Sequence, residues 1–361
     1  MKPPPEFPHN PATVDRPPEP VPTTPGRLEW PGSYVRCGDL SHSPEAIPPD
    51  DELLIRPDLM SVFTQRGWTT TAAILNDQKL QVLRQVNGRD NCRTTWIDPT
   101  TGQMRLAYVK RHTHSMHPSA GWEEATAVGL CQSAGVACVE VLAAGRISNQ
   151  HGDCTGSVLI TAAVSHISSP PGSVIGLAPP ESLSLFVTFQ LQNLSGGPTR
   201  EESAQRREWL QQLANTVKRL HAARLYHGDL YLQHAFPQSD SKGQSQVALI
   251  DLQLLKQSTG VMGWYRWIKD LWQLRFSLDR LNCDPATVRH WYECYFAKGD
   301  EPQPLAWWQH LLAVLVRISS PRRLLRLWRL RRSGKQEEYE RSLLPFYRGA
   351  AGPPQSERHA A

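Results

Sequence analysis

The chain contains no apolar run approaching the roughly 18 to 20 residues that a membrane-spanning helix needs. Its opening, MKPPPEFPHN, has no apolar stretch and does not read as a secretory leader. The seven cysteines (Cys37, Cys92, Cys131, Cys138, Cys154, Cys283, Cys294) are odd in number and nowhere spaced C-x-x-C. That argues against a disulfide framework and against a cysteine-based zinc site, and for a reducing, cytoplasmic setting. Charge of one sign is also modest: 39 Lys and Arg against 34 Asp and Glu leave a net +5. This suits anionic ligands such as phosphates or acidic lipids without demanding nucleic acid, and no nucleic-acid partner is expected. Internal repeats are absent.

What is present is the composition of a globular protein, 40% hydrophobic and 20% charged over 361 residues, enough for two lobes with a real core. Proline is concentrated at the start. Nearly half of the 30 fall in the first fifty residues, so 1–50 reads as a disordered segment, with order beginning near Asp50. Residues 58–75 suggest a helix, a turn at Gly67 and a second short element. Strands are predicted over 80–86, 93–98 and 104–112, with Asp98-Pro99-Thr100-Thr101-Gly102 as hairpin-turn chemistry between the last two. A helix over 121–134 and strands over 139–147 and 156–164 follow. Beyond a loop rich in Ser, Pro and Gly the chain turns helical. Trp209, Leu210, Leu213, Val217 and Leu220 make 207–225 amphipathic, and 264–281 is a second helix. The half up to residue 164 is thus strand-rich, and 165–345 helix-rich.

Four features occur in order: Lys110 ending an apolar strand, Glu123-Glu124 on the next helix, LHAARLYHGDLYLQH from Leu220 to His234, and VALIDLQ from Val247 to Gln253. A transferring phosphoryl group needs positioning and electrostatic stabilisation more than covalent help. A lysine on a rigid strand can hold nucleotide phosphates, and a helix carboxylate can hold that lysine. One aspartate can take the proton of the attacking hydroxyl, and a second can bind magnesium.

The set is similar to the strand Lys, helix Glu, H-R-D-L-x-x-x-N and D-F-G of protein kinases. The fuller resemblance is to the lipopolysaccharide core kinase (Kdo/WaaP) family, whose HGDLYLxH, IDL plus a polar residue, and KDLxxL helix correspond to HGDLYLQH, IDLQ and Lys269-Asp270-Leu271-Trp272-Gln273-Leu274. It covers roughly residues 55 to 300, a span consistent with a two-lobed domain. The resemblance implies an α+β, two-lobed protein-kinase-like fold. An antiparallel-sheet N-lobe would span 51–164, a helical C-lobe 165–345 and a flexible tail 346–361. It implies ATP and Mg²⁺, with Lys110 on the α/β-phosphates, Glu124 as its partner (Glu123 being the alternative one residue away), Asp229 as catalytic base and Asp251 on the metal. Asp270 would hold the catalytic-loop backbone. Adenine would pack around Thr161–Val164, and Gly88, with Arg89, would approach the phosphates from a turn holding one glycine. The acceptor implied is a heptose or Kdo hydroxyl of the lipopolysaccharide core, or a related glycolipid, at the cytosolic membrane face.

Several residues depart from the protein-kinase pattern. Gly228 replaces the Arg that pairs with a phosphorylated activation loop, and the segment between Asp251 and Trp264 is short, so activation-loop control is not expected. His234 stands where protein kinases have Asn. Imidazole is a poor magnesium ligand, so its contact, to metal or to phosphate, stays open. A kinase for another small-molecule or protein hydroxyl, and a pseudokinase that binds nucleotide without turnover, are the rival readings. His112, His114 and His117 read as a solvated loop rather than a metal cluster. Trp264, Trp267, Trp272, Trp291, Trp307 and Trp308 read as core rather than a sugar platform. The basic run from Arg322 to Arg332 reads equally as a helix lying on anionic lipid or as one with a solvated arginine face.

Overall fold

The computed structural model describes residues 35–36, 50–86, 88–99, 102–113, 116–164, 184–194, 198–239, 245–299, 301–307, 309–310 and 312–313. The expectations for most of 1–50, for the Ser/Pro/Gly loop, for the basic run from Arg322 to Arg332 and for the tail lie outside them.

The first half builds one antiparallel sheet of seven strands in the order β1-β2-β6-β7-β5-β4-β3. These are β1 (Val35–Arg36), β2 (Asp51–Ile55), β3 (Gln81–Val86), β4 (Arg89–Ile97), β5 (Met104–Thr113), β6 (Val141–Ser148) and β7 (Cys154–Ala162). β1 is a short edge strand paired to β2, upstream of where order was expected to begin. Two short helices, α1 (Met60–Gln65) and α2 (Thr71–Leu75), follow β2 and flank the Gly67 turn, whose φ of 74° suits glycine. The β4–β5 turn closes through the Gly102 N–H on the Asp98 carbonyl.

The sheet's two faces have different fates because side chains alternate along each strand. Ala107, Val109, Ala143, Val158 and Ile160 join Leu53, Ile55, Phe63, Trp68 and Ile74 in one core. The opposite face, with Val141, Ala144 and Leu159, joins the helical half's core through α3 (Ala120–Ser133), which contributes Trp122, Ala125, Val128 and Cys131. α3 thus belongs to the core of the second half while lying across the sheet.

The second half holds α4 (Leu185–Leu194), α5 (Arg200–Ala222), α6 (Gly260–Arg280) and α7 (Pro285–Phe296), with the short pairs β8 (Leu225–Tyr226)–β11 (Lys256–Gln257) and β9 (Ala235–Ser239)–β10 (Ser245–Leu249). α5 starts earlier than its apolar periodicity indicates. Thr199 caps it by accepting from Glu202 N while the Glu202 carboxylate accepts from Thr199 N, a capping box. The halves are joined where Leu249 N donates to the Ala137 carbonyl and Val139 N to the Leu249 carbonyl, 3.0 and 3.1 Å. That join carries the end of β10, and therefore Asp251, beneath α3.

Two expectations are corrected. His112 is no loop residue: it lies in β5 and is 3% exposed, on the buried side of a strand one residue longer than predicted. His117 is exposed, His114 lies outside the described residues, and among those described no group of three or more His, Cys, Asp or Glu is arranged to hold a metal ion. The tryptophans divide. Trp272 and Trp291 are core, but Trp264 and Trp307 are 62% and 74% exposed. Helical periodicity alone does not tell a buried apolar stripe from an exposed one at a helix end.

Candidate active site

Lys110 lies on β5, held between β4 and β7 opposite Asn91 and Leu159. Its Nζ donates to both Glu124 oxygens, at 2.7 and 2.8 Å, and to Asp251 Oδ1 at 3.0 Å. Glu124 is buried on the side of α3 that faces the sheet, whereas Glu123 accepts from Ser119 Oγ in the exposed first turn. The structure therefore brings Glu124, and not Glu123, to Lys110. Burial opposes the Lys110 charge, but Glu124 and then Asp251 overcome it and raise its pKa. The ammonium is therefore secure at neutral pH.

Asp251 follows β10 and Ile250 with φ 58° and ψ 57°, a left-handed conformation uncommon outside glycine. That conformation turns its carboxylate back toward Lys110. Burial would raise its pKa, but Lys110, His234 and Arg89 outweigh it and hold the carboxyl down at about 2. An ionised, hard oxygen donor therefore sits beside the lysine.

The loop from His227 to His234 is organised by α6. Asp270, fully buried, accepts from His227 N at 2.8 Å and Gly228 N at 2.9 Å. His221 Nε2 lies 3.2 Å from Asp270 Oδ2, the oxygen that also accepts from His227 N. Three residues along, Gln273 donates to the Gly228 carbonyl and to Asp229 Oδ1, both 3.2 Å, and accepts from Leu230 N at 3.0 Å. Lys269 Nζ donates to the Gly228 carbonyl at 2.6 Å, and Ser277 Oγ accepts from Leu232 N. Gly228 itself has φ 77°, and a Cβ there would stand 2.7 Å from the Leu254 carbonyl oxygen. That is why no arginine, or any side chain, occupies this position.

His227 is buried and its pKa is pushed down by that burial, so it is neutral. Nε2 meets the Ile250 carbonyl at 3.1 Å as donor, and Nδ1 accepts from Asp229 N at 3.3 Å. It ties the Asp229 loop to the strand end leading to Asp251. The His234 ring stacks on His227, with centroids 5.8 Å apart. Its Nδ1 lies 2.8 Å from the Asp229 carbonyl, which requires the proton on Nδ1. Nε2 lies 3.7 Å from Asp251 Oδ2 and 3.3 Å from Gln233 Nε2.

Gly88, φ 75°, forms the β3–β4 turn, and its carbonyl accepts from Thr113 N. The next residue, Arg89, crosses between the halves: Nη1 donates to Gln253 Oε1 at 2.9 Å, two residues beyond Asp251. Thr161 faces Tyr108 across the β5–β7 pair, two positions from Lys110. It therefore shares the lysine's face of the sheet, about 7 Å along. The amides of Ala162 and Ala163 are already bonded to the Glu140 and Leu106 carbonyls.

The structure brings together a part-buried, ion-paired lysine, an ionised aspartate and a helix-braced loop carboxylate, in the order the motifs indicated. The family resembled is that of the Lipopolysaccharide kinases (Kdo/WaaP), whose model matches residues 188–295. That stretch contains Asp229, His234, Asp251, Asp270 and Gln273, while Lys110 and Glu124 lie upstream of it. A solved structure, "WaaP in complex with acyl carrier protein", is similar over 78% of this chain and 98% of its own, with a TM-score of 0.50 and 20% identity. At that identity the likeness is one of fold, a kinase-like antiparallel sheet followed by helices. No curated protein matches.

Gln273, Lys269 and the Arg89–Gln253 bridge were not singled out by sequence as site residues. The first two carried a usable signal. Lys269, Asp270 and Gln273 are spaced i, i+1, i+4, so an α6 that presents Asp270 to the loop presents its neighbours too.

Proposed function

We propose that the chain is an ATP-dependent kinase acting on a sugar hydroxyl, a heptose or Kdo residue, of the lipopolysaccharide core or a related glycolipid. The observation that supports it most is the Lys110–Glu124–Asp251 cluster facing a loop whose sequence matches a lipopolysaccharide kinase family.

In this reading Lys110, clamped by Glu124, holds the α/β-phosphates. Arg89 and the Gly88 turn cover them from the sheet side, and Thr161 lies toward the adenine end. Magnesium prefers oxygen donors and keeps waters and substrate phosphates as its other ligands, so a single committed carboxylate fits it. Asp251, ionised and held from behind by Lys110, would be that ligand, and when bound the ion supplies charge neutralisation for the phosphates. His234 Nε2 points to the same region, toward metal or phosphate. Asp229 accepts the proton of the sugar hydroxyl as its oxygen bonds to the γ-phosphorus and the bond to the β–γ bridging oxygen breaks, releasing ADP. Gln273 fixes the Asp229 oxygen that does not take the proton.

The acceptor class is tested by offering labelled ATP and Mg²⁺ with lipopolysaccharide core, a protein mixture and simple alcohols in parallel. Label should enter the core sugar. Label in protein or small alcohols alone would replace this acceptor by another, and nucleotide binding with no transfer to anything would make the chain a pseudokinase. The WaaP neighbour was solved with acyl carrier protein, so that protein is the natural partner to add to such an assay.

A further inference from the structure

The first turn of α6 exposes Val261, Met262, Trp264 and Tyr265 by 85%, 56%, 62% and 59%. Single exposed apolar residues are ordinary. Four within five positions form a patch of the kind that marks an interaction surface. The turn cannot roll them inward, because its other side is already seated. Gly263 is buried, and a Cβ there would lie 3.1 Å from the Ser258 carbonyl oxygen and 3.2 Å from the Tyr226 hydroxyl.

The surroundings are cationic. From Leu252 to Lys269 the chain carries Lys256, Arg266 and Lys269 and no Asp or Glu. Arg224, whose carbonyl accepts from Ser258 N at 3.1 Å, adds a fourth cation beside the turn. Lys256 and Arg224 are exposed. Tryptophan and tyrosine among lysine and arginine is the chemistry of a bilayer interface, where rings enter the headgroup boundary and cations meet anionic lipid.

We infer that this turn of α6, with Lys256 and Arg224, is the surface by which the protein seats on an anionic lipid bilayer. The inference rests on the glycolipid-kinase reading, because an acceptor sugar carried on a lipid is met at the bilayer surface. Met262, Tyr265, Lys269 and Gln273 follow one another along one face of α6, at i, i+3, i+7 and i+11. The face that starts in the patch therefore arrives, about 16 Å along the axis, at the glutamine bonded to Asp229. Seating the patch sets the height and tilt of the catalytic loop above the lipid.

Sedimentation of the full chain with phosphatidylcholine vesicles, with and without phosphatidylglycerol, tests this. The wild type should bind the anionic vesicles and be released by salt. The double variant Val261→Asp/Trp264→Asp should bind about tenfold more weakly or worse, with unchanged circular dichroism and melting, as should Arg224→Glu/Lys256→Glu. Undiminished binding by both variants overturns the inference. So does binding that is lost only when the arginines from Arg322 to Arg332 are neutralised, or a wild type that ignores vesicles and uses these residues to bind an acidic protein. Both variants should phosphorylate a soluble, lipid-free core oligosaccharide at the wild-type rate. A loss there would place the residues in catalysis instead. Vesicle binding is read without ATP, so failure of the surface and failure of the kinase reading give different results.

Discussion

Asp229 is held in a way that its motif does not convey. The Gln273 amide group donates to one carboxylate oxygen and to the preceding carbonyl, while its own oxygen receives Leu230 N. A side chain that makes three bonds to three consecutive loop residues, Gly228, Asp229 and Leu230, fixes orientation rather than binding substrate. Gln273→Ala should therefore lower kcat by about ten- to a hundredfold and leave KM for ATP nearly unchanged, with partial rescue by Gln273→Asn. A matching rise in KM would refute the positioning role. Glu123 and Glu124 make a second contrast. Glu124→Gln should weaken ATP binding through Lys110, while Glu123→Gln, which alters only an exposed contact to Ser119, should not; isothermal titration separates them. His112 gives a pH prediction. Burial, reinforced by Arg89 and Lys110, lowers its pKa from 6.5 to about 4. Below pH 6.5 the unfolded chain binds the proton that the folded state refuses, so stability falls as pH drops from 6.5 and levels off near 4. The loss is on the order of 3 kcal/mol. Denaturant melts at pH 7.5 and 4.5 should show His112→Phe losing less than wild type over that interval.

At the scale of elements, much of the chain was legible. The apolar alternation of β5, the turn chemistry after Asp98 and the amphipathic stripe of α5 each follow from local rules. What was missed had two causes, a local signal passed over and partners distant in sequence. α5 begins at Arg200 because Thr199 and Glu202 cap each other, a local signal upstream of the first apolar repeat. Thr199→Ala should cost about 1 kcal/mol, measurable as a lower denaturant midpoint with unchanged slope; no change would mean that the exposed box frays. His112 was misplaced because it was grouped with His114 and His117 as loop, although the predicted strand 104–112 already reached it. Gly228 was recognised as a departure, yet its cause, the Leu254 carbonyl beneath it, appears only when the segment after Asp251 folds back under the loop. The site motifs were readable because they are short and ordered. The helix that braces them was read at Asp270 but not at Gln273, although Gln273 lies one turn further along the same side of α6.

At the scale of the molecule, one core lies on the far face of the sheet and the other runs from α3 through the helices, so the cleft with Lys110 and Asp251 is lined from both halves. α3 supplies Glu124 and packs with the helical half. The ion pair thus reports the relation between sheet and helices as well as the site, and Arg89–Gln253 ties them a second time. No described helix is long and apolar enough to cross a membrane. In the proposed function Asp229 receives the proton of an acceptor hydroxyl while phosphate leaves ATP. The most direct measurement is single-turnover transfer of the γ-phosphate to lipopolysaccharide core by purified wild type and Asp229→Ala, at matched ATP occupancy. The account predicts transfer by the wild type and a loss of at least about a hundredfold in the variant, with ATP still bound. Transfer at the wild-type rate by Asp229→Ala, or none by a wild type saturated with ATP and Mg²⁺, would contradict it.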